Sequence, residues 1–251
     1  MVGGTAAVLS PRWRLAALAA DAAALAAYFG FHERLPDLST WGDVAVIAAL
    51  VIPAVFTSVG LLLPLYQMRW RWLVAIALVA ASIGFSILDW EAPASFAKLG
   101  AATFVGWIFL DFFEEAAWVV IVALIIPWVD AYSVWRGPTN TIVHHHKGVL
   151  ARLSFAFPVP GGTDTANLGI PDMLFFALFL AAAAHFKLRV GMTWALMTAS
   201  FGATVALAVW LDLGVLPALP LLSLAFLTAN GDVLWRRMRA AAAQRPDPSA
   251  S

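Results

Sequence analysis

Apolar runs about the length of a membrane span, separated by short polar or charged segments, recur along most of the chain. Residues 44–68, 72–88, 190–211 and 213–231 contain no charged side chain. A helix rises about 1.5 Å per residue and a bilayer's hydrocarbon core is about 30 Å thick, so runs of this length predict spanning helices. Residues 12–31 and 92–110 predict two more if Asp21 and Lys98 are accommodated, the lysine as a stem that snorkels from near a helix end.

Two further segments cross only if each encloses an aspartate. The uncharged run 116–129 is 14 residues long and reaches a spanning length only through Asp130 to Trp135. The run after Asp172 has only 12 uncharged residues, 173–184, so a span there must start near Thr165 with Asp172 inside it. The pattern therefore predicts an all-α, polytopic bundle of eight transmembrane helices. It divides into an N-terminal four-helix region (1–112), a second four-helix region (113–239) containing the 136–164 loop, and a disordered tail (240–251).

Composition agrees with the pattern. The chain has 62% hydrophobic and 12% charged residues, against roughly 25% charged in soluble domains, and its mean hydropathy is +0.85. Six of the twelve tryptophans (Trp70, Trp72, Trp90, Trp128, Trp135, Trp235) stand near the ends of apolar runs, where headgroups favour them. The net charge of zero supplies no basic field for nucleic acid, and the absence of cysteine excludes disulfides, thiolate metal sites and cysteine nucleophiles. The start, PRWRLAALAADAAALAAYFG, has signal-peptide features, but Asp21 within it favours a retained first helix.

Asp130 and Asp172 carry the chemistry. Consecutive spans run antiparallel, so Asp130, six residues before the 136–164 loop, and Asp172, eight residues after it, are expected at depths of roughly 9 and 12 Å from one membrane face. An ionised carboxylate costs about 2.5 to 3.5 kcal/mol at a helix centre on insertion scales, which makes an intramembrane acid a functional candidate with a partner to be named. Each aspartate is the other's natural partner. Carboxyls about 3 Å apart share one proton, and such a pair can activate water against an amide and protonate the leaving nitrogen.

The segment EAAWVVIVALIIPWVDAYSVWRG resembles the sixth membrane helix of presenilins, signal peptide peptidases and their microbial homologues, whose microbial form is similar to Asp-Ala-x-Ser-Val-aromatic-basic. Asp130, Ala131, Ser133, Val134, Trp135 and Arg136 match it. Gly169, Ile170, Pro171 and Asp172 resemble the family's Gly-x-Gly-Asp motif on the seventh helix, and Pro217, Ala218 and Leu219 its Pro-Ala-Leu motif on the last. The resemblance covers residues 114–235 and implies an intramembrane aspartyl protease with Asp130 and Asp172 as dyad. Gly169 to Pro171 and the Pro-Ala-Leu turn would hold an unwound substrate segment. It implies transmembrane segments of membrane proteins or signal peptides as substrates, the bilayer as surroundings, and no cofactor or metal. The stretch GVLARLSFAFPVPGGTDT matches a loop that in the family adds strand structure able to pair with substrate.

The chain departs from the family at two positions: Val129 replaces the tyrosine before the first aspartate, and Pro171 the glycine before the second. Proline fixes φ and lacks an N–H, which the first turn of a helix tolerates. It also keeps open a catalytically impaired homologue that binds membrane proteins. A proton-coupled transporter is a further alternative, since acid pairs serve proton relays, although no repeat of the Asp130 segment is visible in the N-terminal half. Adjacent histidines point in different directions, so His144, His145 and His146 read as loop rather than metal site. Asp21 is assigned to helix packing among alanines, and Glu114 and Glu115 to a helix end.

Ten Lys and Arg side chains fall on the side of both termini (Arg12, Arg14, Arg69, Arg71, Lys187, Arg189, Arg236, Arg237, Arg239, Arg245) and five on the other (Arg34, Lys98, Arg136, Lys147, Arg152). The positive-inside rule then predicts cytoplasmic termini in a bacterial or archaeal cell membrane.

Overall fold

A computed structural model describes residues 11–136, 154–162, 165–213 and 216–243. His144, His145, His146, Lys147, Arg152, Arg245 and the tail beyond residue 243 lie outside the described residues. The helices are α1 (Pro11–Phe31), α2 (Thr40–Val46), α3 (Ile52–Leu62), α4 (Arg71–Ile87), α5 (Glu91–Phe109), α6 (Ala116–Arg136), α7 (Ile170–His185), α8 (Val190–Trp210) and α9 (Leu219–Ala243). One antiparallel hairpin, β1 (Ser154–Pro158) with β2 (Thr165–Gly169), completes the described architecture, in the register Ser154 to Gly169 and Pro158 to Thr165. Among the described residues the fold is all-α apart from this hairpin.

Thr40–Gln67 forms one rod of α2, a π-helical turn (Ile47–Val51), α3 and a 3₁₀ end. Proline in a helix interior removes an N–H and crowds the carbonyl four residues back. Here the π turn comes immediately before Pro53, at the second residue of α3, and widens the ladder where the ring enters. Three helices stop without glycine. Asp89, Lys187 and Asp212 follow α4, α7 and α8 with φ of 55°, 52° and 52°. The next residue's N–H then bonds back to the helix: Trp90 to Phe85 O, Leu188 to Ala183 O and Leu213 to Ala208 O. These are Schellman caps.

Among the described residues, five segments are long and apolar enough to cross a membrane by length and composition: Arg12–Arg34, Thr40–Gln67, Glu91–Phe112, Ala116–Arg136 and Val190–Trp210. Arg71–Ile87 and Ile170–His185 are shorter apolar helices. Large apolar side chains cover outward faces. On α4, Ile76, Val79, Ile83 and Ile87 form an exposed stripe, and on α6 Ile121, Leu124, Ile125, Trp128 and Val129 do the same. Contiguous apolar surface of this kind suits a lipid environment rather than water.

Two expected spans are differently built. Thr165–Gly169 is strand, so α7 begins at Ile170 and has 16 residues, about 24 Å of helix. The cause is local: Gly169 is the N-cap in extended geometry, Pro171 fits the second helical position, and the preceding residues pair with β1 instead of winding. The last helix starts at Leu219, not near residue 213, because Pro217 and the residue before it resist helical geometry. It runs 25 residues to Ala243, through Asp232 and three arginines, and takes in the first residues of the expected disordered tail.

The core centres on α7, where eight consecutive residues from Phe176 to Ala183 are buried, packed chiefly against α5. Phe56, Phe176 and Phe201 stack from α3, α7 and α8, with centroids 4.0 Å (Phe56–Phe176) and 4.8 Å (Phe56–Phe201) apart. Gly106 sets the α5–α7 separation: a Cβ there would lie 2.5 Å from Leu174 O and 3.2 Å from Leu178 N. Asp21, assigned to packing, has a polar partner as well, since the Ser58 hydroxyl donates to its Oδ2 at 2.6 Å across α1 and α3.

Candidate active site

Asp130 is half-buried on α6, three residues after Pro127, which interrupts that helix's hydrogen-bond ladder. The helix packs mainly against α9 and meets α7 only sparingly. Asp130 Oδ2 accepts the backbone N–H of Leu219 at 3.1 Å. Leu219 opens α9, and Pro220 after it has no N–H to offer. The carboxylate therefore satisfies an orphan donor at the positive end of a helix dipole.

Asp172 occupies the third position of α7 and is also half-buried. Its carboxyl takes a hydrogen bond from the N–H of Gly169, the N-cap residue, the reach-back of a capping box. A Cβ on Gly169 would lie 3.0 Å from Asp172 Oδ2, so a larger residue there would crowd that oxygen and displace it. Asp172 lies close enough to Asp130 for their charges to interact.

The candidate residues thus gather from three chain segments. Gly169, Ile170, Pro171 and Asp172 form the strand-to-helix junction, Asp130 faces it from α6, and Pro217, Ala218 and Leu219, all buried, form the turn that opens α9. Ile170 is partly buried and Pro171 exposed. Val129 and Tyr132 are 53% and 66% exposed, so neither is packed into the bundle.

Lys98 differs from the expectation. Instead of snorkelling outward it is half-buried among the buried Ala94, Ser95, Ala97 and Leu99, and its Nζ donates to Ser154 O at 3.2 Å. A strand carbonyl within reach inside the protein attracts a donor more strongly than distant headgroups do. Tyr28 was likewise not singled out by the pattern, yet its hydroxyl donates to Pro158 O at 2.6 Å. Both contacts depend on the hairpin, whose only sequence signal is the alternation in SFAFP and the Gly-Gly after it.

An apolar cleft of about 300 Å³ between α3, α7 and α8, lined by Thr57, Gly60, Leu180, Gly191 and Trp194 among others, includes neither aspartate. Among the described residues no group of three or more His, Asp or Glu is placed to hold a metal. No family model matches the chain, and a search of curated proteins finds no match either.

Proposed function

We propose that the chain is an intramembrane aspartyl protease of the presenilin and signal peptide peptidase type, cutting transmembrane segments with Asp130 and Asp172. The observation that carries this reading is the placement of Asp130, bonded to the Pro217–Ala218–Leu219 turn, within electrostatic reach of Asp172 on a second apolar helix. In the proposed reaction the ionised carboxyl takes a proton from water as the oxygen attacks the peptide carbonyl. The protonated one donates to the carbonyl oxygen, and collapse of the tetrahedral intermediate delivers a proton to the leaving nitrogen.

Two further features support it. A helical substrate must expose extended backbone before it can be cut. β2, with Thr165 and Asn167 exposed, leads directly into the helix of Asp172, so its edge is a site for an extended segment. The contact between α6 and α7 is sparse, so a substrate segment entering between them would have little packing to displace. We further propose eight membrane crossings with both termini cytoplasmic, which an active cytoplasmic reporter fused after Gln244 would support and a reporter active only outside would refute.

One observation favours a second reading. Both carboxyls also accept a hydrogen bond at a helix N-terminus, and a non-catalytic membrane-protein binder would need nothing more of them. The deciding experiment is cleavage of a generic transmembrane peptide by purified protein in detergent, with and without a transition-state mimic of aspartyl proteolysis. On the protease reading, Asp130→Asn and Asp172→Asn each abolish cleavage while the protein stays folded, and Pro171→Gly preserves or raises activity. Full proteolysis by either Asn variant would refute the dyad, and an inactive wild type that still captures the peptide would establish the binder.

A further inference from the structure

We propose that Lys98 is a positioning residue for this reaction: from α5 its ammonium holds the hairpin end on which Asp172 depends. The inference rests on the protease reading above. It starts from the placement of a cation where hydrophobic packing alone would put an alanine or leucine. Neighbouring Ala94, Ser95, Ala97 and Leu99 are buried, and Lys98 itself is half-buried. A lysine is tolerated there when its ammonium finds acceptors within the protein.

The acceptor is informative. Lys98 Nζ donates to the carbonyl of Ser154, the first residue of β1. In the sheet register Ser154 is opposite Gly169, the residue whose N–H bonds to the Asp172 carboxyl and whose missing Cβ leaves room for it. The Ser154 hydroxyl also donates to Asn167 Oδ1 at 2.9 Å, stapling the two strands at the same end. Lys98 is thereby linked to Asp172 through one carbonyl, one strand pair and one N-cap.

The far end of the hairpin is held separately. Tyr28 donates to Pro158 O, and the Gly161 N–H to His32 O at 2.8 Å. Phe155 packs edge-on against Phe29 and Phe96, with centroids 6.1 and 5.5 Å away. These contacts seat β1 on α1 and α5, Phe155 one pair from Gly169, and the Lys98 bond adds a polar hold at Ser154, the residue opposite Gly169. A charge-assisted hydrogen bond is about twice as strong as a neutral one, and at Ser154 it acts where a small displacement is passed on to the carboxyl. Misplacing a reacting group by about 1 Å can lower a rate about a hundredfold.

The test compares wild type, Lys98→Met, which keeps the stem without the charge or donors, and Lys98→Arg, which restores both. Hydrogen–deuterium exchange of the β1 and β2 amides and peptide cleavage are measured on the same purified samples. Lys98→Met is expected to exchange at least tenfold faster in the hairpin with α8 and α9 unchanged, and to lose about ten- to a hundredfold in kcat with KM altered less than about threefold. Lys98→Arg is expected to recover most of both. Unchanged hairpin exchange in Lys98→Met beside an active wild type would overturn the tether and leave the protease reading standing. Faster exchange beside an inactive wild type would instead overturn the protease reading and with it the catalytic role of Lys98. Faster exchange throughout the bundle, or loss of activity that arginine does not rescue, would reduce Lys98 to a general element of the fold.

Discussion

Gly106→Ala tests whether the contact between α5 and α7 positions the candidate site. The added Cβ would lie 2.5 Å from Leu174 O, 3.2 Å from Leu178 N and 3.3 Å from Ala177 Cβ. A comfortable C···O approach is about 3.3 Å, so the helix backbones must separate by about 0.8 Å. Neither neighbour can yield as a side chain would, because the two closest atoms are main chain. Overpacking of this kind costs about 1 to 3 kcal/mol, and alanine's better helix propensity offsets about 0.8 to 1 kcal/mol of it. Gly84→Ala in α4 isolates the steric part, since a Cβ there meets nothing within 4 Å and only the propensity gain remains. At roughly 2 to 4 °C per kcal/mol for a chain of this size, the two variants should melt about 2 to 12 °C apart in detergent, Gly84→Ala the higher. Leu174 is two residues from Asp172 on the same helix, so Gly106→Ala should also lose about ten- to a hundredfold in cleavage at temperatures where it remains folded. Variants melting within about 1 °C of each other, with equal cleavage, would refute the argument that this close approach sets the position of α7.

Two polar clusters, one buried and one half-buried, give further expectations. Asn230, fully buried, accepts the Arg189 N–H at 3.0 Å and donates to Thr193 Oγ1 at 2.8 Å. Asn230→Ala strands the Arg189 N–H, while Thr193 Oγ1 keeps its bond to Arg189 O, so a loss of about 1 to 3 kcal/mol is expected, read as a lower melting temperature than for the exposed control Arg236→Ala. Ser58→Ala removes the donor to the half-buried Asp21 at 2.6 Å and should cost about 0.5 to 1.5 kcal/mol, the net worth of one hydrogen bond. If the bond holds α1 to α3, the double variant with Asp21→Ala should cost clearly less than the two singles together, and additive losses would show that it does not.

The chain's pattern was sufficient for the helical rods, because a backbone in lipid must satisfy its own hydrogen bonds and a long apolar run leaves it little other than helix. Ser39 before Thr40, the Glu114–Glu115 break before α6, and Asp89, Lys187 and Asp212 after their helices are local signals whose effect is complete within one turn. Asp130 and Asp172 stood out for the same reason, as carboxylates in runs that otherwise contain no charge. Tertiary structure decided what pairing across the chain decides. Thr165–Gly169 became strand because β1 offered it a ladder, and Lys98 turned inward because that ladder left Ser154 O within its reach. The start of α9 at Leu219 joined Asp130 through a bond between residues 89 positions apart. Such contacts depend on where segments distant in sequence come to lie, and hydrophobic periodicity records only which face of a segment is buried, not what it meets there.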